Sequence, residues 1–102
     1  MATYVMLTKL SPEALKDPGT VGPLNRRVED RIRQEIPGIE WKANYAVLGP
    51  YDYLDIFDAP DAESATKVAL LVRSFGNATT ETWIATEWDR FLGFAEQLKE
   101  AA

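Results

Sequence analysis

The chain has 102 residues, with neither cysteine nor histidine, and its 16 acidic and 11 basic residues give a net charge of −5. This composition excludes disulfides, a thiolate nucleophile and the commonest transition-metal and haem ligands, so we expect no metal site and no cofactor. The acidic balance argues against a nucleic-acid partner, and the lack of a long apolar run argues against a membrane span. We therefore expect a cytoplasmic protein with a single domain over residues 1–102.

The first half of the chain predicts a strand, a helix and a second strand. Thr3–Leu10 is rich in apolar and β-branched residues and is the first strand. Ser11 followed by Pro12 predicts a short capped turn of helix. A longer amphipathic helix follows, which Pro37-Gly38 ends, and residues 39–49 are the second strand. The apolar stripe of this helix is Leu24, Val28, Ile32 and Ile36.

The second half predicts two further strands and two further helices. A tight connection leads into a third strand at residues 53–59, and Asp61 then caps a helix that ends near Gly76. The fourth strand is expected at residues 78–86. Thr86 and Asp89 resemble a capping box that starts a last helix over about residues 87–101.

The order of these elements predicts an α+β, ferredoxin-like βαββαβ fold with an antiparallel sheet and an added C-terminal helix. Its first and third strands should be central, and its helices should cover one face only. Both faces of these strands are nevertheless apolar, whereas a half-solvated sheet should alternate apolar and polar residues. We therefore expect a second copy to bury the other face, giving a homodimer or a higher homo-oligomer. In the first strand Val5 and Leu7 oppose Tyr4 and Met6, and in the third strand Leu54 and Ile56 oppose Tyr53 and Phe57.

Three stretches, "GPYDYLDIFDAPDAESA", "LKDP" and "FGNATTETWIA", resemble the GYD domain family over about residues 3–88. The signature residues are Gly49, Tyr51 and Asp52. The resemblance implies a ferredoxin-like domain that pairs into a dimeric α+β barrel, and it implies no catalytic residue set. The chain departs from the family pattern at Asp55, where an aliphatic residue is usual, at Thr79, where a basic residue is common, and in the extra "GTVG" and Phe-rich tail.

Asp55 stands in the middle of the third strand, where aspartate is depleted. Strand alternation places it on one face with Tyr53 and Phe57. Because the aliphatic Leu54 and Ile56 suit the helices, we expect Asp55 to face away from them, toward a barrel interior or a subunit interface. It could be a paired or hydrated interface carboxylate, a ligand-facing base or hydrogen-bond acceptor, or simply exposed. Its possible cationic partners are Lys9, Lys42, Arg26 and Arg27.

Aromatic residues on the strands suggest a cavity with one or two polar groups, although core or interface packing would also explain them. We expect Trp41 and Tyr45 to share one face of the second strand, and Glu81 and Trp83 to share one face of the last strand. The candidate ligand-binding residues are Tyr4, Trp41, Tyr45, Tyr53, Asp55 and Trp83.

The sequence is compatible with three alternative functions. The leading one is a dimeric barrel that binds a small apolar or aromatic molecule. The second is a cofactor-independent isomerase, cyclase or monooxygenase, in which Asp55 or Glu81 removes a proton and Tyr53, Tyr4 or Tyr45 stabilises an oxyanion. The third is an assembly or interaction protein without a ligand.

Two remaining groups have structural interpretations. Gly49 can supply a positive φ, Asp52 can cap a turn, and Tyr51 can pack with its hydroxyl on the backbone, the alternative being a tyrosine at a pocket mouth. The long helix also carries a mixed charged surface that is typical of a solvated face. Its residues are Arg26, Arg27 and Arg33, interleaved with Glu29, Asp30 and Glu35.

Overall fold

The computed structural model describes residues 1–99, which form four strands and four α-helices. The strands are β1 (Ala2–Leu10), β2 (Glu40–Ala46), β3 (Tyr53–Ala59) and β4 (Ala78–Ala85). The helices are α1 (Pro12–Leu15), α2 (Val21–Glu35), α3 (Ala62–Ser74) and α4 (Trp88–Leu98), with a 3-10 turn at Pro18–Thr20 before α2. The end of the predicted last helix, residues 100–101, lies outside the described residues.

The four strands form one antiparallel sheet in the order β2-β3-β1-β4. The predicted ferredoxin-like arrangement, with the first and third strands at the centre, is confirmed. In the register, Tyr4 of β1 lies opposite Phe57 of β3, and Val5 lies opposite Trp83 of β4. This register decides which side chains point toward the helices.

Most helix ends follow the local sequence signals. The Ser11 hydroxyl accepts a hydrogen bond from the Ala14 N–H at 3.2 Å, and the Asp61 carboxylate accepts one from the Ser64 N–H at 2.8 Å. Gly76, with φ of +79°, follows α3 in a conformation that favours glycine. The predicted Thr86 cap is wrong, because the backbone stays extended through Glu87, which precedes α4 without a side-chain cap.

The core lies between one face of the sheet and the helices α2 and α3. Phe57 is fully buried there. The centroid of its ring lies 5.7 Å from the ring centroid of Tyr4 and 5.3 Å from that of Trp41. The other buried members of this core are Met6, Ile32, Ile36, Ala59, Ala65, Val68 and Val72.

Asp55 points to the helix-covered face, because it shares the parity of the fully buried Phe57 and Ala59. The prediction that Leu54 and Ile56 face the helices is therefore wrong. Aliphatic character was a poor guide, because the core uses the large ring of Phe57 and the small Ala59 of this strand. Leu54 and Ile56 are half-buried on the opposite face, which we call the free face.

A β-bulge in β2 separates two residues that we expected to share a face. Trp41 lies opposite Phe57, whereas Ala43 lies opposite Ile56, so the register shifts between them. One extra residue reverses the alternation of the strand. As a result Trp41 packs in the core, while Tyr45 lies opposite Leu54 and remains 60% exposed, although it also borders the cavity described below.

Helix α4 extends away from the sheet. None of its residues is buried, and the described chain measures 55 Å along its longest axis. Its radius of gyration is 16.0 Å, against about 13 Å for a compact domain of this length. None of the helices in residues 1–99 has the length and apolar character of a membrane span. The exposed large apolar residues of α4 are Trp88, Phe91, Leu92, Phe94 and Leu98.

Candidate functional site

A cavity of about 320 Å³ lies between the helix-covered face of the sheet and the helix α2. We call it the sheet–helix cavity. All three neighbouring strands β1, β2 and β3 contribute to its floor, α2 forms its roof, and the end of α3 closes one side. Its lining includes Met6, Thr8, Leu10, Val21, Leu24, Asn25, Val28, Glu29, Ile32, Trp41, Asn44, Tyr45, Tyr53, Asp55, Val72, Phe75 and Asn77.

Asp55 is a carboxylate of this cavity. Burial raises its pKa above the ordinary value of 3.8, a hydrogen bond from Asn44 opposes that rise, and the charge of Glu29 adds to it. The Asn44 Nδ2 atom donates to the Asp55 Oδ1 atom at 2.7 Å. None of the expected cations forms an ion pair with Asp55 within residues 1–99, and Lys42 instead lies 3.4 Å from Asp58 on the free face.

Tyr53 lines the same cavity two residues before Asp55. Burial is the main cause that raises the pKa of its phenol, and the charges of Asp52 and Asp55 raise it further. Its hydroxyl therefore keeps its proton at neutral pH and can donate a hydrogen bond to a bound molecule.

Glu29 lines the cavity, although the charge pattern of its helix predicts a solvated surface there. It follows Val28 of the apolar stripe by one position, so it lies at the border of that stripe and is only partly exposed. The Asn25 Nδ2 atom, one helical turn earlier, donates to the Glu29 Oε1 atom at 3.2 Å. The sequence does contain a signal for this role of Glu29. Asn25 precedes it by four residues, so the amide and the carboxylate can pair beside the apolar stripe of the helix.

The free face holds two of the predicted site residues, Glu81 and Trp83. Their predicted common face is found, and the Trp83 Nε1 atom donates to Glu81 at 3.2 Å. The hydroxyl of Tyr51 donates to the other oxygen of Glu81. Glu81 and Trp83 are thus separated by the sheet from Asp55. Tyr4 is also outside the sheet–helix cavity, because its ring is buried against Phe57.

The Gly49–Asp52 signature anchors the connection between β2 and β3. The Asp52 carboxylate accepts a hydrogen bond from the Leu10 N–H at 2.8 Å, and the Asp52 N–H donates to the Thr8 carbonyl at 2.8 Å. The Val47 N–H donates to the Asp52 carbonyl at 2.9 Å. Gly49 has φ of +148°, which favours glycine. These bonds hold the connection against β1, whose Thr8 and Leu10 also line the cavity.

The cavity therefore combines apolar walls with a protonated phenol and two carboxylates. This set can hold a small molecule by apolar contact and by hydrogen bonds. Asp55 and Tyr53 also lie together as a base and an oxyanion donor would, whereas Glu81 lies on the opposite face. No group of three or more acidic side chains in residues 1–99 is arranged to hold a metal ion.

The sheet order and the cavity beneath α2 define an α+β domain of the ferredoxin-like type. Comparison of the sequence with family models gives a match to the GYD domain over residues 4–95. The chain belongs to the GYD domain family.

Similar proteins include the glutamine synthetase and cystathionine beta-lyase binding protein of Thermus thermophilus. It is 30% identical over 86 residues, which are 80% of this chain and 85% of the relative. The crystal structure of TTHA0845 from Thermus thermophilus has a TM-score of 0.58 and 22% identity, over 85% of this chain and 95% of that one. The crystal structure of FFRP-DM1 has a TM-score of 0.56 and 22% identity, over 84% and 100% of the two chains. The two structures establish the fold.

The raised pKa of Asp55 predicts a pH-dependent stability difference between the wild type and Asp55→Asn. Below the ordinary value of 3.8, the carboxyl is neutral in both the folded and unfolded states and carries no penalty. As pH rises through the higher pKa of the folded state, the wild type loses stability because it must bury a charge. Asparagine keeps the size and an oxygen for Asn44, so the variant should be the more stable protein at pH 7.

Urea unfolding of both proteins at pH 7 and at pH 3.5 would measure this difference. We expect Asp55→Asn to have the higher unfolding midpoint at pH 7, and the gap to narrow at pH 3.5. The exposed Asp30→Asn variant controls for the loss of one charge and should show a smaller gap. A variant less stable than the wild type at pH 7 would show that the ionised Asp55 carboxylate stabilises the fold.

Proposed function

We propose that the sheet–helix cavity binds a small molecule with an apolar or aromatic body. The main support for this proposal is the cavity itself. Its volume is about 320 Å³, which lies at the lower end of the range of roughly 300–1,000 Å³ for ligand pockets. Such pockets combine mostly apolar walls with a few placed polar groups. Here those groups are Asp55, Tyr53 and Glu29.

The packing around the cavity supports a preformed site. Trp41 is held against the fully buried Phe57, so one aromatic wall is fixed by the core. The floor belongs to paired strands whose register is fixed by the hydrogen bonds of the sheet. A site built on such rigid elements loses little entropy when a ligand binds.

Binding can be tested with two neutral probes, indole and 2-phenylethanol, observed through the side-chain amide NMR signals of Asn25 and Asn44. We expect saturable shifts of both signals. Val28→Phe adds a ring at the cavity wall and should weaken binding by about tenfold or more, since it occupies the volume that the probe needs. The matched control Leu70→Phe alters an exposed residue of α3 and should bind as the wild type does. Equal binding by both variants would place the probes elsewhere.

We infer also that the free face of the sheet is buried by a second copy of the chain. Val5, Leu54 and Ile56 lie there together with Trp83, which is 53% exposed, and no helix of residues 1–99 packs over them. An antiparallel sheet with a solvated face should be polar on that face. The face also carries both signs of charge, since Lys42 contacts Asp58 there, which suits a self-complementary twofold contact.

Size-exclusion chromatography with light scattering tests this assembly. The wild type should have the mass of a dimer or of a larger assembly of pairs. Ile56→Glu places a carboxylate at the centre of the free face and should give monomers, because a buried unpaired charge is costly. Leu70→Glu, on the exposed side of α3, should keep the mass of the wild type. A monomeric wild type would refute the proposed dimer.

A second candidate function is protein binding through α4. Its apolar side chains lie on one stripe and are all exposed, and an apolar helical stripe of this kind fits a groove on another protein. The 30% identical relative is named as a binding protein of glutamine synthetase and cystathionine beta-lyase. We propose that enzymes of these two classes are also partners of this chain.

Sedimentation velocity of this protein mixed with purified glutamine synthetase or cystathionine beta-lyase, both from the organism that encodes this chain, would test this partnership. We expect co-sedimentation with at least one enzyme. Phe91→Asp should weaken the complex by about tenfold or more, because it places a charge in the apolar stripe. The control Gln97→Ala changes the opposite side of α4 and should leave binding unchanged. No complex with either enzyme would refute the proposed partners.

A further inference from the structure

We infer that the ligand of the sheet–helix cavity carries a positively charged amine, held between the carboxylates of Asp55 and Glu29. This inference rests on the proposed small-molecule binding and adds the chemical class of the ligand. It follows from four features of the cavity: its acidic pair, the lack of a basic residue in its lining, a hydroxyl that is available to a ligand, and two aromatic rings.

The two carboxylates are positioned in the same way. The Asn44 amide donates to one oxygen of Asp55 at 2.7 Å, and the Asn25 amide donates to one oxygen of Glu29 at 3.2 Å. Within residues 1–99, the second oxygen of each carboxylate receives no side-chain hydrogen bond. Each amide therefore orients its carboxylate and leaves one strong acceptor available to a ligand.

No basic side chain in residues 1–99 forms an ion pair with either carboxylate. The cavity lining contains no lysine or arginine, and the ion pairs of residues 1–99 include neither Asp55 nor Glu29. A carboxylate removed from water without a partner is costly, and an ammonium group supplies both the opposite charge and several N–H donors. An anionic ligand would instead add to the repulsion between the two residues.

The hydroxyl of Thr8 provides a separate indication of a polar ligand group. Thr8 is only 4% exposed, its side chain shares the face of Tyr53, and it lines the cavity. The side-chain hydrogen bonds within residues 1–99 do not include its hydroxyl. Because Thr8 borders the open space of the cavity, its hydroxyl can exchange a hydrogen bond with a polar group of the ligand.

The aromatic residues complete the site for an organic cation. Trp41 and Tyr53 line the cavity with Asp55, and aromatic faces attract ammonium groups by cation–π interaction. The apolar side chains of α2 then cover the body of the molecule. The ligand class is therefore a small primary or secondary amine with an aromatic or aliphatic body.

Three probes that share one skeleton test this assignment on the full chain: 2-phenylethylamine, which is protonated at pH 7, the neutral 2-phenylethanol and the anionic 3-phenylpropanoate. Isothermal titration should show the amine binding about tenfold or more tightly than the alcohol, as expected for charge-assisted hydrogen bonds, and the anion binding most weakly. Asp55→Asn should reduce the preference for the amine to a few-fold or less. Glu29→Gln is the second test should the first variant not fold, and Asp30→Asn on the outer side of α2 should keep the full preference.

The outcomes separate the two proposals. Equal binding of amine and alcohol, or tighter binding of the anion, would overturn the assignment to amines and leave small-molecule binding in place. An amine preference unchanged in both cavity variants would also overturn it, because the charge would then be recognised elsewhere. If the alcohol and the amine both fail to bind, the proposed function and this inference fall together.

Discussion

The alternation of side chains along β3 is the constraint on which the rest of the structure depends. Phe57 and Ala59 are fully buried against the helices, so the residues two and four positions before Phe57 must point the same way. A shift of one residue would expose Phe57 and bury Leu54 and Ile56 in its place, at the cost of the stacked rings in the core. The burial of one phenylalanine therefore places Asp55 inside the cavity.

The GYD signature supports the same arrangement from outside the sheet. Asp52 continues the pairing of β3 with β1 through its backbone, and its carboxylate binds the Leu10 N–H beyond the last paired residues. This contact fixes the end of β1 where Thr8 and Leu10 border the cavity. Tyr51 points to the other side and bonds Glu81 on the free face. The signature thus links the cavity and the proposed interface through adjacent residues.

Sequence patterns predicted the elements and the strand order, because periodicity, caps and breakers are local signals. Asp61 and Gly76 bounded α3 as expected, and the strand-helix order left one common topology. The face of Asp55 was missed because both faces are apolar, so hydropathy alone could not choose between them. The bulge after Trp41 depends on tertiary packing, which a single strand does not reveal, whereas the position of Glu29 at the border of the apolar stripe is a local signal of its helix.

The two faces of the sheet differ in what they leave unsatisfied, and this difference separates the functions they can serve. The helix-covered face has a packed aromatic core next to a cavity whose carboxylates form no ion pair within residues 1–99, and this cavity is the site that we propose for a small ligand. The free face pairs its own polar groups, Tyr51 and Trp83 with Glu81 and Lys42 with Asp58, while Trp83 is exposed and Leu54 and Ile56 are only half-buried. Such a surface gains from apolar burial against another protein surface rather than from a small polar ligand. Because β1 and β3 contribute to both faces, a ligand that shifts these strands would also shift the residues of the proposed interface.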